Sequence, residues 1–162
     1  MSSELITSWG EHDAALTKIL ASATNSLCIF DEDLSELKLG RSDTIEILRQ
    51  FLDNGRQNGL RILLQNTEAL RRDNPRLMEL LASRPQNMTI IECPPHLAEL
   101  KNSMVIADGQ HALIRIHKDH ARSRVILDSA EDCASYMKRF EEILNEGGEQ
   151  IGATGPSHTQ MS

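Results

Sequence analysis

Apolar positions along this chain recur at two spacings, and the switches between them lay out a series of helices and strands. Over residues 11–23, Leu16, Ile19, Leu20 and Ala23 fall on one helical stripe. Leu27-Cys28-Ile29-Phe30 is an unbroken apolar burst, short enough for a buried strand. The polar stretch DEDLSELKLGRS leaves its C-terminal end as a loop. A second helix is expected from Ser42-Asp43, with Asp43 and Glu46 in capping-box spacing. Ile45, Leu48, Phe51 and Leu52 form its stripe, and Asn54-Gly55 its stop. Residues 60–64, LRILL, read as a second buried strand. Pro75 fits the first turn of a helix over 76–82, and 88–91 read as a third strand that Cys93-Pro94-Pro95 breaks.

The clearest local signal follows. Residues 104–107 are apolar, Asp108-Gly109 is a two-residue turn pair, and residues 111–117 alternate. Ala112, Ile114 and Ile116 fall on one face, with His111, Leu113, Arg115 and His117 on the other. Asp-Gly between such runs predicts a tight hairpin. Residues 125–127 give one more short strand. A last helix is expected from Ser129, with Cys133, Met137, Phe140 and Leu144 as its stripe, before Gly147-Gly148. The pattern predicts an α/β domain over 11–146: a mixed, mainly parallel sheet of about five or six strands sandwiched by helices. A flexible N-terminus over 1–10 and a polar, disordered tail over 147–162 flank it.

Composition sharpens this. Apolar residues make up 40% of 162, with one Trp, one Tyr and three Phe, so the core must be aliphatic. A net charge of −7 argues against a general nucleic-acid binder. Cys28, Cys93 and Cys133 form no C-x-x-C pair and sit inside apolar patterns, which predicts buried, reduced thiols. The N-terminus has no signal-peptide pattern, and no apolar run approaches the roughly 20 residues that span a membrane. A cytoplasmic protein is expected.

The order of elements resembles the repeat unit of the phospholipase D-like superfamily over about residues 12–146. The segment IEILRQFLDNGRQNGLRILL at 45–64 is similar to its helix, turn, glycine and strand. Residues 103–114 are similar to its signature strand and hairpin, and 136–144 to its closing helix. The family's chemistry lies in H-x-K-x4-D. The His becomes a covalent phosphohistidine, the Lys clamps phosphate oxygens, and the Asp supports local geometry. Anchored on Asp108, this chain reads K-x-S-x4-D, with Lys101 and Ser103 where the resemblance requires His and Lys. A lysine amine, protonated near neutrality, does not replace an imidazole nucleophile without a large fall in pKa. The serine-asparagine pair common after the hairpin is also missing. Active members need two motifs, so the resemblance implies a homodimer or a neighbouring protein domain.

Residues 115–124, RIHKDHARSR, hold the densest positive charge. Lys101, Arg115, His117, Lys118, Arg122 and Arg124 are the candidate anion ligands, as phosphate-binding forks and point charges; a solvated polar loop accounts for them too. His117 and His120 around Asp119 lack further metal ligands at a recognisable spacing, and neither a metal nor a cofactor is expected. His96, His111 and His117 are the candidates for a relocated nucleophile. Asp31 and Asp33 stand where an open α/β sheet places its ligand crevice, and solvated loop carboxylates explain them equally well. The resulting expectation is a non-catalytic binding or interaction module, for a phosphate-bearing ligand. The alternatives are a phosphodiesterase or phosphatidyltransferase with a relocated His, and a scaffold without a ligand.

Overall fold

The computed structural model describes residues 2–54 and 59–152. The elements run β1 (Ser2–Ile6), α1 (Trp9–Ser22), β2 (Ser26–Asp31), α2 (Ser42–Asp53), β3 (Gly59–Leu64), α3 (Leu70–Asp73), α4 (Pro75–Ser83), β4 (Met88–Glu92), a 3-10 turn (Pro95–Leu97), β5 (Ser103–Ala107), β6 (His111–Arg115), β7 (Ser123–Leu127), α5 (Ala130–Asn145) and β8 (Glu149–Gln150). One sheet holds all eight strands in the order β1-β7-β6-β5-β2-β3-β4-β8.

Alternation sorts side chains into two layers. Leu27 and Ile29 of β2, Leu60 and Ile62 of β3, and Val105 of β5 join the stripes of α1, α2 and α4 in the larger core. Cys28, Phe30, Met104 and Ile106 face the other way, onto Cys133, Phe140 and Ile143 of α5. The three cysteines lie in this second layer as free, buried thiols. Burial holds Cys93 and Cys133 at a pKa of about 11, so both stay protonated and inert. Among the described residues no helix is long and apolar enough to cross a membrane.

The sheet differs from the expectation in size and direction. The strands read between helices, β2, β3 and β4, do pair in parallel. The other five pairings are antiparallel, because β5 returns beside β2 and the hairpin continues through β7 to β1. Two edge strands account for the excess over five or six. Residues 2–6, expected to be flexible, pair with β7 and bury Ile6. Within the expected tail, Glu149 and Gln150 pair with β4, and Ile151 donates its amide to the Ile90 carbonyl at 2.8 Å. Both segments are too short and polar for alternation to betray them. The rest of the tail, and Gly55 of the helix stop, lie outside the described residues.

Local signals fare unevenly. Asp108 and Gly109 have φ of 59° and 67°, so both turn residues are left-handed as expected, but Ala107 pairs with His111 and the loop therefore holds three residues, 108–110, one more than the expected two-residue turn. Gly59 is likewise required: its φ is 59°, and a Cβ there would lie 2.0 Å from the Asn87 carbonyl oxygen. Ser129 caps α5 by accepting the Asp132 amide. The capping box, however, belongs to Ser8 and Glu11 at the start of α1. Helix α2 starts after Arg41 without a side-chain cap, and Asp43 instead takes the amide of Thr44 at 2.9 Å.

Candidate functional site

Three neighbouring strand ends meet where β2 finishes, β5 begins and β6 finishes. Ser103 pairs with Arg115, and Phe30 with Met104, so Asp31 lies one step on, beside Ser103. By the period of two, Asp31 follows Leu27 and Ile29, Ser103 precedes Val105, and Arg115 follows Leu113. All three therefore project toward the layer of α1. The small Ser103 side chain leaves Arg115 room to reach across β5. Its Nη2 donates to Asp31 Oδ1 at 3.0 Å, and its Nη1 lies 3.1 Å from His12 Nε2 on α1. Trp9, one turn earlier, lies over the guanidinium at 5.5 Å from ring centroid to Cζ.

This cluster is closed to water. His12 is 0% exposed, Asp31 1%, and Arg115 and Ser103 2% each. Asp31 Oδ2 also accepts the amides of Leu34 at 2.8 Å and Asp33 at 3.2 Å, so the carboxylate is fully engaged. Burial first, then the neighbouring Arg115 charge, pull His12 down to a pKa of about 4. The ring is therefore neutral at pH 7. Because Nε2 faces a guanidinium donor it must accept, which puts the ring proton on Nδ1. Nδ1 has no hydrogen-bond partner, and Asp13 Oδ1 is 3.8 Å away.

The residues singled out in the sequence separate. Lys101 is exposed ahead of β5, with Nζ 3.3 Å from the Ala98 carbonyl. Asp108 accepts the amides of Thr24, Asn25 and Ser26, the last two at 2.7 and 3.0 Å, and so fixes the approach to β2. Lys118 pairs with Glu32 at 3.1 Å and Asp119 at 3.2 Å. His117 Nδ1 accepts the Asp119 amide, and its ring lies 5.2 Å from that of His120. Arg122 is exposed, at a cleft of about 800 Å³ shared with Trp9, Ile116, His117 and His120. Arg124 turns to the opposite layer, bonding Ser3 Oγ and the Tyr136 hydroxyl. His96 lies 2.9 Å from Glu146, and His111 Nδ1 accepts the Asp128 amide. The six expected anion ligands thus do not converge: Arg115 is sealed inside, and strand parity sends Arg124 to the far face.

His12 and Trp9 had no part in the sequence reading. His12 precedes Leu16 by four positions and Ile19 by seven, so it continues the apolar stripe of α1, and that spacing was the available signal. Asp31 proves to be a buried ion-pair partner instead of a solvated carboxylate.

One family profile, described as a domain of unknown function (DUF7931), matches residues 9–150. No curated protein matches the chain. Among solved structures the chain is similar to the phospholipase D family member Nuc from Salmonella typhimurium, with a TM-score of 0.67 at 14% identity. That match covers 93% of this chain and 98% of the other. NucT from Helicobacter pylori gives 0.59 at 12% identity, with the same coverages. TrmBL2, an archaeal chromatin protein with a novel mode of DNA binding, gives 0.65 at 15% identity, over 90% of this chain and 53% of that one. The fold is thus phospholipase D-like. The expectation against nucleic acid does not stand, since a DNA-binding protein shares this fold. Net charge is a whole-chain sum, whereas binding answers to local charge. These similarities supply nothing for a homodimer or a protein partner.

Proposed function

The chain belongs to the DUF7931 family, and from that premise we propose that it is a non-catalytic phospholipase D-like domain acting as a binding module for a phosphate-bearing ligand. The carrying observation is the closed Arg115–Asp31 pair. At the strand ends where the resemblance calls for a phosphate clamp, the cation is already matched by an internal carboxylate. This supports the non-catalytic half of the reading and directs a phosphate-bearing ligand to another part of the surface. His12, the histidine that does reach this point, spends Nε2 on the guanidinium and is buried, so it is no nucleophile for an incoming phosphodiester. Lys101 and Ser103 supply neither the imidazole nor the clamp. Nucleic acid falls within the ligand class, because a chromatin protein of the same fold binds DNA.

Turnover decides it. Purified protein with bis(p-nitrophenyl) phosphate or single-stranded DNA, with and without divalent metal, is expected to release no product above buffer. Product formation abolished by His117→Ala or His96→Ala would overturn the reading in favour of a relocated nucleophile.

A further inference from the structure

The loop leaving β2 is built as a fixed wall. Leu34, Leu37 and Leu39 are each 1% exposed or less, and Asp31 accepts the amides of Asp33 and Leu34. Against this wall, where α3 passes into α4, lies an open cavity of about 460 Å³. Lys38, Arg41 and Arg76 line it, each exposed. Arg41 is the N-cap residue of α2 and Asn74 that of α4, and neither side chain caps its helix. The positive ends of two helices therefore meet at one hollow.

Asn74 is the independent observation. It is only 6% exposed, lines the cavity, and its side-chain amide makes no hydrogen bond with any described residue. The amide opens onto the cavity and is not among the fully buried unpartnered groups, so its donors are free to take up a ligand acceptor. Beside it, Gly40 keeps the space open: a Cβ there would lie 3.2 Å from Asn74 Oδ1. The carboxylates at the rim are partly occupied. Asp33 accepts the Ser35 amide at 3.0 Å, and Asp73 is matched by Arg72 at 3.0 Å. In a chain of net charge −7, three cations, two helix N-termini and an unpartnered amide converge here.

We infer that this cavity binds the phosphate group of a small phosphomonoester. The volume lies within the ~300–1,000 Å³ range of small-molecule sites, so it accommodates an organic group beside the phosphate. Three cations and two helix N-termini outweigh the Asp33 carboxylate and the Arg72-matched Asp73, and that positive excess favours a dianion over the single charge of a diester. The inference rests on the binding-module reading and gives it a site, away from the closed cluster of Arg115.

Isothermal titration of the full chain with inorganic phosphate, glycerol 3-phosphate and a dinucleotide carrying only a diester tests it. Saturable binding of the first two is expected, with glycerol 3-phosphate the tighter, and weaker binding of the dinucleotide. The second ionisation of a phosphomonoester lies near 6, so affinity should rise from pH 5.5 to 7.5. Lys38→Ala with Arg76→Ala should weaken binding at least tenfold while the ligand-free melting temperature stays near that of the parent. Arg122→Ala, away from the cavity, should leave affinity unchanged. Absence of saturable phosphate binding, unchanged affinity in the double variant, or a preference for the diester would each overturn the inference. Turnover of a phosphodiester would sink the binding-module reading alone, so the two failures are distinguishable.

Discussion

Asp31 and Asp33 stand two residues apart, at the base of one loop, and serve opposite arrangements of charge. Asp31 turns inward, meets Arg115 at 3.0 Å and is 1% exposed. Asp33 lines an open cavity whose cations, Lys38, Arg41 and Arg76, have no buried counter-ion among the described residues. In the first region the protein supplies its own anion and closes over it. In the second the cations stay exposed around an open cavity. Charge that is neutralised and buried holds a fold together; charge left open is available to a ligand.

The largest expected effect comes from breaking the closed pair. Asp31→Ala leaves Arg115 buried without its counter-ion and frees the amides of Asp33 and Leu34. Urea unfolding should show a loss of about 3–5 kcal/mol. A loss below about 1 kcal/mol would mean that water already reaches the guanidinium, and the contrast between the two regions would fall. Replacing both partners, Asp31→Leu with Arg115→Met, removes the orphan as well as the pair. The double variant should be less destabilised than Asp31→Leu alone, and the cycle through Asp31→Leu and Arg115→Met should return a coupling of roughly 1–3 kcal/mol. Additive losses would show that the two side chains act independently.

His12 gives the next effect, through pH. Its folded pKa is about 4, below the ordinary 6.5. Between those values the unfolded chain takes up a proton that the folded chain refuses, so stability falls as pH falls. Above 6.5 the contribution is complete, and below about 4 the loss is complete. From pH 7 to pH 5 the parent should lose about 2 kcal/mol more than His12→Gln, which keeps an acceptor for Arg115 and removes the titration. Burial lowers the ring's pKa most, Arg115 adds to it, and Asp13 and Asp31 oppose it, so the subtraction against His12→Gln is needed to isolate the titration. Equal pH slopes for the two proteins would place His12 in contact with water.

Such couplings explain what was legible in the chain and what was not. The Asp108-Gly109 turn was readable because its cause, two left-handed residues, lies within the turn. The strands β2, β3 and β4 were readable because each is a short, mostly apolar run bounded by polar, Gly or Pro residues. The edge strands β1 and β8 were not, since their partners β7 and β4 lie far away in sequence and only the pairing makes them strands. The closed cluster was half legible. Alternation set Arg115 on the face of Leu113, and the stripe of α1 carried an unread signal for His12, while the convergence of both with Asp31 depended on the pairing of β5 with both β2 and β6. Reading 115–124 as one basic segment hid the fact that Arg115 and Arg124 leave opposite faces. The open cavity left no local trace: Lys38 and Arg41 meet Asn74 and Arg76 only because the loop after β2 folds against the start of α4.

The smallest expected effect tests the open side of the contrast. Arg76 is exposed, and its one protein hydrogen bond among the described residues runs at 3.4 Å to the Gly40 carbonyl, too long to hold much. Arg76→Ala should change ligand-free stability by no more than about 0.5 kcal/mol. The same substitution should shrink the rise in melting temperature that saturating inorganic phosphate gives the parent, since a ligand stabilises only in proportion to its occupancy of the folded state. The comparison therefore turns on two numbers from one variant. An unchanged ligand-free melt with a reduced phosphate shift assigns the guanidinium to a ligand. A large ligand-free loss would assign it to the fold, and the cavity would then be a second closed cluster like that of Arg115.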